Sequence, residues 1–577
     1  MDKEFVDDIV KFIKKEKPGK QKLTKAKIKL CKKHKLKGIP NDIAILLNVN
    51  PKDLKSVKKY LVSKETRTLS GVAVCAIMTK PMKCPHGKCL MCPGGPGSSF
   101  GDVPQSYTGK EPATRRAIRN LYDPYLQVMN RLEQYIVQGH AADKIELIIM
   151  GGTFPSFPKK YQEDFVKYAF KAMNDFSKLF FDRKGFDFLA FKKFFELPCD
   201  LEDEERRKRL FSKLLKLKNA GKSKISGTNY VGKKTSLEKE HLLNEKSNIK
   251  CVGMTIETRP DYGVLKHGNE MLRLGCTRVE LGVQSVFNFV LEKIKRGHTV
   301  EDSIKSTQIL KDLGFKINYH MMLGLPGMDK KRDLYNLKIL FGVEEFQPDM
   351  LKLYPCMVMK GTKLHSIWKR KKFKPLTTKK AASLIAEFKK DVPRYVRIMR
   401  VQRDIPTFMT EDGVDKTNLR QYVDKEMKGK KIECKCIRCR EIGRYKGKVG
   451  KVALKVMHYN ASGGNEFFIA AVYKDWILGF CRLRFPGTFL RKEIDEDSAL
   501  IRELHVYGPA VEIGKKGKIQ HKGVGKKLVE KAEEIAETYY KKKMIVISGV
   551  GVRGYYKKLG YKKEGVYMVK KLKNSLK

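Results

Sequence analysis

The sequence lacks the features that direct a chain into or across a membrane. No uninterrupted apolar stretch approaches the length of a bilayer span. An export signal begins with positive charge followed by an apolar run, whereas this chain begins with a mixed segment that includes Asp2, Glu4, Asp7 and Asp8. We therefore expect a cytoplasmic protein with no membrane partner.

Cysteines are few and unevenly spread. Of the 13 cysteines of the 577-residue chain, six fall in two short clusters at 84–92 and 434–439, which argues against a disulfide framework and is typical of metal binding in a reducing compartment. Apolar residues make up 41% of the chain, which excludes wholesale disorder. The length is too great for one hydrophobic core and predicts two to four domains.

Acidic residues are scarce beside basic ones. The chain has 64 aspartates and glutamates against 121 lysines and arginines, a net charge of +57. Such an excess attracts a polyanion, and nucleic acid is the commonest one. A lysine-rich thermophile composition would raise glutamate as well and leave the net charge nearer zero. We therefore expect nucleic acid binding.

The first sixty residues contain no arginine, yet they hold 18 lysines and 7 acids. Apolar residues recur there at helical spacing, for example Val6, Ile9 and Ile13. The pattern predicts a small basic helical module over residues 1–68, whose lysines suit contacts to phosphates; a merely solvated helix face is the alternative.

Between residues 69 and 400, short apolar runs alternate with amphipathic segments. The runs predict strands at 72–78, 144–150, 252–257, 278–282, 316–322 and 350–354, with helices at 111–138, 303–313 and 329–341. This alternation predicts an α/β fold, a partial (β/α)6 barrel with functional residues at the carboxyl ends of its strands. Residues 183–246 are charged and are expected to be an insertion or a mobile excursion, and 376–400 a closing helix.

Two further regions follow. Residues 401–450 form a predicted linker in which Cys434, Cys436 and Cys439 lie within six residues beside basic side chains, a pattern that favours a metal site. Residues 451–577 predict a second α/β or α+β domain. Its expected strands are 451–459, 466–472, 477–483, 498–506 and a final one at 544–548, with a glycine-rich loop and a helix before the last.

Three cysteines stand on one short loop rich in proline and glycine: Cys84, Cys89 and Cys92. Three thiolates can hold three irons of a cubane cluster and leave the fourth iron free for S-adenosylmethionine. A structural zinc loop is the alternative, but zinc takes four ligands and only His86 is at hand to complete the set. We therefore predict a [4Fe–4S] cluster on these cysteines.

Gly151 and Gly152 follow a predicted strand, where the absence of side chains lets a ligand approach the backbone. About sixty residues after a three-cysteine loop, this pair resembles the radical-SAM superfamily, in which such glycines contact the methionine part of the cofactor. Segments 255–261, 280–285 and 324–327 match later strand ends of that superfamily, and Gln284 is carried over as a cofactor contact. The C-x4-C-x2-C spacing differs by one residue from the commonest pattern of the superfamily.

The last domain resembles the GNAT acetyltransferases. The strand 498–506 precedes a glycine-containing loop, with Gly523 and Gly525, that opens a helix; amides at a helix start can cradle a pyrophosphate. The segment 548–556 then supplies Tyr555 and Tyr556, one of which the resemblance puts near an acetyl-CoA thioester, unless both are packing residues.

With both halves in one chain, the segments 105–109, 150–154, 401–406, 502–508 and 547–554 resemble the catalytic subunits of the Elongator complex in their archaeal single-protein form. The resemblance, which runs from about residue 70 to the end, implies acetyl-CoA contacts at Lys144, Glu503, Leu504, His505, Val506, Ile519, Gln520, His521 and Lys522. It implies a tRNA substrate held by the basic N-terminal module, and a linker zinc on Cys434, Cys436 and Cys439. The fourth ligand is open, with His458, His365 and Cys356 as candidates.

The same resemblance implies the reaction. A 5′-deoxyadenosyl radical would remove a hydrogen from the acetyl methyl group, and the carbon would join carbon 5 of the wobble uridine to give 5-carboxymethyluridine after thioester hydrolysis. A protein lysine acetyltransferase, with Glu503 or His505 as base, and a tRNA-binding scaffold without turnover are the alternatives. The sequence indicates no obligate protein partner and leaves self-association open.

Overall fold

The computed structural model describes residues 1–63, 68, 71–199, 203–219, 235–508 and 523–572. Within these ranges, none of the helices is both long enough and apolar enough to cross a bilayer. Three parts follow one another along the chain: a helical module, a curled parallel sheet covered by helices, and a second sheet.

The N-terminal module consists of four helices, α1 (Lys3–Glu16), α2 (Lys20–Lys33), α3 (Asp42–Asn48) and α4 (Pro51–Val57). Asp2 caps α1 by accepting the backbone N–H of Glu4 at 2.8 Å. Phe5, Ile9 and Ile13 recur on one face of α1 and are fully buried in the module's own core. The helical periodicity predicted for this region is thus present.

The middle part carries strands β1–β11 and helices α5–α16. In chain order the strands are β1 (Ala73–Met78), β2 (Gly95–Ser98), β3 (Gly101–Val103), β4 (Lys144–Met150), β5 (Phe181–Asp182), β6 (Gly185–Phe186), β7 (Lys250–Thr258), β8 (Arg278–Gln284), β9 (Lys316–Leu323), β10 (Met350–Pro355) and β11 (Arg397–Arg400). The helices are α5 (Pro112–Arg119), α6 (Pro124–Val137), α7 (Lys159–Phe180), α8 (Phe188–Phe194), α9 (Glu204–Asn219), α10 (Leu237–Lys246), α11 (Leu265–Arg273), α12 (Asn288–Lys293), α13 (Val300–Asp312), α14 (Lys330–Gly342), α15 (Lys363–Lys369) and α16 (Thr378–Lys389).

Seven of these strands form one parallel sheet in the order β1-β4-β7-β8-β9-β10-β11. The six predicted strands are all present. The seventh, β11, occupies the end of the segment for which a closing helix was predicted, so that prediction was wrong beyond Lys389, where α16 ends. Parallel neighbours bring all carboxyl ends to one edge of the sheet, which we call the top, and all amino ends to the other, the floor.

The segment 183–246 is not a loose excursion in its described parts. Phe191 of α8 and Leu237 of α10 are fully buried, and Asn174 of α7 donates to the Glu240 backbone carbonyl at 2.9 Å. These residues join the main core because α8–α10 carry apolar positions that the charge of the segment obscured. Residues 220–234 lie outside the described ranges.

A linker with helix α17 (Leu419–Gly429) leads to the second sheet, whose order is β12-β13-β14-β15-β16-β18-β17. Its elements are β12 (Ala453–Ala461), β13 (Gly464–Tyr473), β14 (Trp476–Phe485), β15 (Ser498–Val506), α18 (Val524–Thr538), β16 (Lys543–Val546), α19 (Arg553–Lys557), β17 (Lys562–Glu564) and β18 (Tyr567–Lys571). The strand predicted as the last one is therefore followed by two more. The predicted fold class, a partial barrel followed by an acetyltransferase-type α/β domain behind a helical module, is confirmed.

The second sheet packs against the floor of the first. Fully buried arginines on its strands reach the barrel: Arg502 pairs with Asp349 at 2.7 Å, and Arg484 with Asp312 at 2.6 Å. Arg502 also donates to the Phe315 backbone carbonyl at 2.7 Å. Buried charges persist only when each has partners, so this network fixes the second domain beneath the barrel.

Candidate functional site

The three cysteines of the loop after β1 line one cavity at the top of the barrel, together with Gly152 and Gln284. The loop is held in place by Gln105, whose side chain accepts the Cys84 backbone N–H at 2.5 Å and donates to the Gly87 carbonyl at 3.1 Å. The prediction that functional residues gather at the carboxyl ends of the strands agrees with this arrangement.

Each thiol faces the cavity with a polar neighbour. The backbone N–H of Ser106 points to Cys92 Sγ at 3.2 Å, and a guanidinium nitrogen of Arg296 lies 3.6 Å from Cys89 Sγ. Burial raises the pKa of Cys84 and of Cys92, so a bound cation would be needed to hold them as thiolates.

The donor set fits an iron–sulfur cluster better than a single ion. Among the described residues, Cys434, Cys436 and Cys439 form a group whose ligand atoms all lie within 4.8 Å, but Cys84, Cys89 and Cys92 do not. The wider spacing leaves room for several metal atoms between the thiols. His86 lies 3.1 Å from Cys89 Sγ, a hydrogen-bond distance.

The glycine pair and Gln284 all have positive φ angles, which glycine adopts freely and which strains Gln284. Gly151 and Gly152 have φ of 109° and 75°, and a Cβ on Gly151 would meet Thr79 Oγ1 at 2.6 Å. Gln284 also has a positive φ, 70°, and its buried side-chain oxygen has no hydrogen-bond partner. That oxygen is available to accept a hydrogen bond from a ligand.

A group of charged side chains that lines the same cavity was not predicted. His320 lies 2.7 Å from Glu280, Lys352 contacts Glu280 and lies 3.4 Å from Glu257, and Tyr107 donates to Glu257 at 3.2 Å. Although burial acts to raise it, the pKa of Glu280 is held well below its ordinary value by Lys352 and His320. The ammonium of Lys352 thus supplies the cation that this acidic group requires. The signal in the sequence from which this group could have been predicted is the alternation of polar with apolar residues within the strands, as at Arg278 and Glu280.

The second candidate site lies where β15 and β16 separate. These strands pair only from Ser498 to Ile501 on β15, and Arg502 is an extra residue in the β15 ladder with β14. Beyond this bulge, the predicted contact residues remain half-buried at the end of the strand: Glu503, Leu504, His505 and Val506. The strands diverge beyond Ile501, which leaves a cleft beside the residues for which the sequence predicts acetyl-CoA contacts.

The start of α18 and one tyrosine complete this cleft. Gly523 precedes the helix with φ 79°, and a Cβ on Gly525 would lie 3.0 Å from the Tyr555 hydroxyl and 3.6 Å from Val506. Tyr556 instead packs in the core between the sheet and α18. Ile519, Gln520, His521 and Lys522 lie outside the described residues, and Lys144 begins β4 at the floor of the barrel.

The linker cysteines form a separate compact group. The ammonium of the buried Lys389 lies 3.7 Å from Cys439 Sγ. None of the three candidates for a fourth ligand belongs to this group. His458 bonds Asn465 at 3.0 Å, His365 stacks on Trp368, and Cys356 packs with the apolar residues beneath the first cysteine loop.

Three family models match the chain: the ELP3 N-terminal domain at residues 3–69, the radical SAM superfamily at 203–337 and the radical SAM C-terminal domain at 348–429. The chain is 44% identical to the "tRNA uridine(34) acetyltransferase" of Methanocaldococcus jannaschii, over 96% of this chain and 94% of the relative. It is 38% identical to Homo sapiens "Elongator complex protein 3", over 98% and 97%.

A solved structure agrees with these relatives. Methanocaldococcus infernus Elp3 lacking residues 1–46 matches with a TM-score of 0.69 at 39% identity, over 88% of this chain and 100% of that one. Identity at this level along nearly the full length of both chains, together with the radical SAM and ELP3 N-terminal domains that this chain carries, shows that it belongs to the Elp3 family.

Proposed function

We propose that this protein converts the wobble uridine of tRNA to 5-carboxymethyluridine with acetyl-CoA and S-adenosylmethionine. The observation that carries the proposal is the three-cysteine cavity at the top of the barrel, on a chain whose second sheet packs against the floor of that barrel. The divergence of β15 and β16 beside Glu503–Val506 supports an acetyl-CoA site in that second domain. The relatives at 44% and 43% identity, both called tRNA uridine(34) acetyltransferase, support tRNA as the substrate.

Cys84, Cys89 and Cys92 would hold a [4Fe–4S] cluster, with Gly151, Gly152 and Gln284 around the S-adenosylmethionine. A reduced cluster held by these residues would supply one electron to S-adenosylmethionine, which would give methionine and a 5′-deoxyadenosyl radical. The Ser106 N–H and the Arg296 guanidinium would stabilise the negative charge on the sulfurs, as neighbouring donors commonly do around metal-bound thiolates.

The acyl-CoA cleft would hold the co-substrate by its two ends. The amides at the start of α18 would bind the pyrophosphate, aided by residues 519–522 and the helix dipole. The thioester would lie at the end of β15, where Glu503–Val506 and the Tyr555 hydroxyl meet. Lys144 at the floor of the barrel would contact the acetyl end.

The proposed reaction balances without another oxidant. One methyl C–H bond of the acetyl group and the C5–H bond of uridine are lost, a carbon–carbon bond forms between them, and water cleaves the thioester to release coenzyme A. S-adenosylmethionine accepts the two electrons, since it leaves as methionine and 5′-deoxyadenosine. The electron that the reduced cluster would supply at the start would be regained when the uridine radical loses the C5 proton together with one electron.

In this proposal each part of the chain has one role. Residues 1–68 bind the tRNA backbone, 69–400 carry the radical chemistry, 401–450 are a linker and 451–577 hold acetyl-CoA. The thiols of Cys434, Cys436 and Cys439 fit one zinc ion, which would brace the linker, with water or a further ligand completing the set. The tRNA substrate and the reduced thiols are consistent with a cytoplasmic site of action.

A protein lysine acetyltransferase is supported less well. The predicted bases are Glu503 and His505, and Glu503 accepts a hydrogen bond at 2.9 Å from Arg482, which in turn donates to the barrel backbone at Tyr395. The Glu503 carboxylate is thus engaged by an arginine that also bonds the barrel, which makes it a poor candidate for a free general base towards a lysine on another protein.

An anaerobic assay tests the proposal. Reconstituted protein with reductant, S-adenosylmethionine, acetyl-CoA and unmodified tRNA should yield carboxymethyluridine and 5′-deoxyadenosine by mass spectrometry, and Cys89→Ala should yield neither. Cys276→Ala, which changes a buried thiol away from the cavity, is the control and should retain both products. Acetyl transfer to a lysine peptide with no modified uridine would overturn the proposal.

A further inference from the structure

The mouth of the cysteine cavity is bordered on one side by the loop that follows β11. Arg403, Asp404 and Ile405 line the cavity, and Asp404 is exposed, so this segment lies at the mouth. Phe408 comes three residues after Ile405, and the two Cα atoms are therefore at most about 11 Å apart. The Phe408 side chain is 78% exposed, the largest fraction among the large apolar side chains that the structure describes. An aromatic ring thus faces solvent beside the mouth.

The loop that carries Phe408 is anchored to the top of the barrel. The Glu411 N–H donates to the Val358 carbonyl at 2.8 Å, and the Val358 N–H donates to the Asp412 carbonyl at 3.0 Å. Val358 comes three residues after the end of β10, at the carboxyl edge of the sheet. Trp368 also donates its ring N–H to the Asp412 carboxylate at 2.8 Å. Because these bonds fix the backbone beside Phe408, its ring is held outward and away from the core.

A lone exposed apolar residue is common on protein surfaces, so the surroundings of this one decide what it can do. Phe408 borders a shallow pocket of about 370 Å³, which has room for one nucleobase. The lining also includes the polar side chains of Thr407, Thr410 and Glu411. A flat apolar face beside hydrogen-bond acceptors matches a nucleobase, which has a π face and N–H groups at its edge.

Cations are concentrated on the neighbouring side of the mouth, at α5. Lys110, Arg115 and Arg119 line a second groove of about 580 Å³, are exposed, and form no ion pair with the residues that the structure describes. Arg115 and Arg119 are four residues apart on α5, where like charges repel, so a bound anion would stabilise them. Residues between 105 and 113 contribute to the lining of both this groove and the cysteine cavity.

The two sides of the mouth are joined, and they carry opposite charge. The Arg403 guanidinium donates to the Ser106 backbone carbonyl, which connects the loop of Phe408 to the wall beside α5. The pocket beside Phe408 is lined by three carboxylates: Glu411, Asp412 and Asp415. A phosphate is therefore attracted to α5 and repelled from the pocket of Phe408, whereas a neutral base is not repelled.

Resting on the proposed function, we propose that Phe408 stacks on the base next to the uridine that enters the cysteine cavity, with the RNA backbone turned towards α5. A uridine that leaves its stack uncovers the face of its neighbour, and an aromatic side chain replaces the lost contact. The N–H groups at the edge of that base can donate to the Glu411 carboxylate. The ligand class is an unpaired stretch of RNA, and Phe408 is a positioning residue.

Binding measurements that need no turnover test this assignment. Phe408→Ala should raise the dissociation constant of an unmodified anticodon stem-loop at least fivefold, as expected for one stacked base, and Phe408→Trp should restore it. The slope of log K against log salt should stay the same, because stacking releases no counterions. Changing both Arg115 and Arg119 to Gln should instead reduce that slope by about one to two. Tyr540→Ala changes an aromatic residue of similar exposure, 75%, after α18 in the second domain and should alter neither quantity.

RNA that lacks one base identifies the partner of the ring. Two stem-loops are compared, each abasic at one of the two neighbours of the uridine. Phe408→Ala should weaken the binding of only one of them, because the other already lacks the stacked base. A purely structural role of Phe408 would weaken both alike. Quenching of the added tryptophan fluorescence in Phe408→Trp by the intact stem-loop, and its loss with the unaffected abasic one, would show the stacking directly.

Parental affinity of Phe408→Ala for the intact stem-loop, or an equal loss for both abasic ones, would overturn the assignment. If the parent binds the stem-loop but forms no carboxymethyluridine, the proposed function fails while the stacking result stands, so the two failures are distinguishable. Thermal unfolding of Phe408→Ala should match that of the parent because the ring is exposed. Should this variant not fold, the fluorescence of Phe408→Trp provides the second test, and unquenched fluorescence with bound stem-loop would overturn the proposal.

Discussion

The Tyr555 hydroxyl stands beside Gly525 and Val506 at the open end of β15, whereas its neighbour Tyr556 is packed in the core. Burial raises the pKa of Tyr555 to about 12, so its hydroxyl keeps its proton through neutral and moderately alkaline pH. A neutral phenol in this position can donate a hydrogen bond to a thioester or protonate a departing thiolate.

We expect Tyr555→Phe to slow coenzyme A release from acetyl-CoA about tenfold or more, in the range that general acid–base groups contribute. Thermal stability should be unchanged because the side chain is only partly buried. The rate of the parent should show no loss attributable to this phenol below about pH 10, well under its raised pKa. Equal rates in Tyr555→Phe and the parent would contradict the assignment.

Residues of the candidate site differ in how visible they are in the sequence. Cys84, Cys89 and Cys92 could be predicted because a short loop alone sets their proximity, and the structure brings them into one cavity. The charged group of Glu280, His320 and Lys352 could not be predicted. Each of the three residues lies on a different strand, and they come into contact only when the parallel strands pair. Within one strand, each is a single polar residue in an apolar run.

Among the secondary elements, long apolar strands were predictable and short polar ones were not. The strands β4 and β15 begin and end at the residues predicted. In contrast, β11 and β17 are four and three residues long and rich in basic side chains, without the alternation that marks a strand. They are strands because a neighbouring strand supplies their hydrogen bonds. For β11 this neighbour is β10, which is distant in sequence, and for β17 it is β18, which follows after a turn.

The strand β15 is also tied to the barrel through Arg502, which pairs with both Asp349 and Glu466 at 2.7 and 2.8 Å. Arg502→Met should destabilise the protein by about 3–5 kcal/mol, because both carboxylates remain buried without this partner. Urea unfolding at pH 7, followed by fluorescence and by circular dichroism, would measure the loss. The largely exposed pair of Arg209 with Glu196 offers the control, since Arg209→Met should leave the urea midpoint nearly unchanged.

The same ion pair has a defined pH dependence. Burial acts to raise the pKa of Asp349, but Arg502, Arg482 and Lys311 outweigh it and hold the pKa far below its ordinary value. The stabilisation is therefore complete above the unfolded-state pKa of about 3.9 and is lost as the pH falls below it. The difference between Arg502→Met and the parent should shrink below about pH 4; a constant difference would refute the role given to Asp349.

At the scale of the whole molecule, the charge of +57 predicts that tRNA binding depends steeply on salt. Lys25, Lys29 and Lys32 are exposed on one face of α2 and form no ion pair with the residues that the structure describes. Changing all three to Gln should weaken tRNA binding at least tenfold at 150 mM salt and reduce the slope of log K against log salt by about two to three, one unit per lost phosphate contact.

A matched variant separates this face from charge in general. Lys14, Lys22 and Lys33 belong to the same module but are paired with Asp53, Glu16 and Asp8. Changing these three to Gln removes the same net charge. A clearly smaller effect on tRNA affinity and slope would locate the contact on α2, and an equal effect would mean that only the total charge matters.

The coverage of the second sheet by the barrel floor has a consequence for the protein's own chemistry. Thioesters acylate amines that reach them, and this chain is rich in lysine. Because Arg482 and Arg502 seal the sheet against the barrel, surface lysines of the same or another copy have no approach to the end of β15 from that side. If an acyl donor is bound there as proposed, the contact between the domains would also shield it from transfer to lysines of the protein on that side.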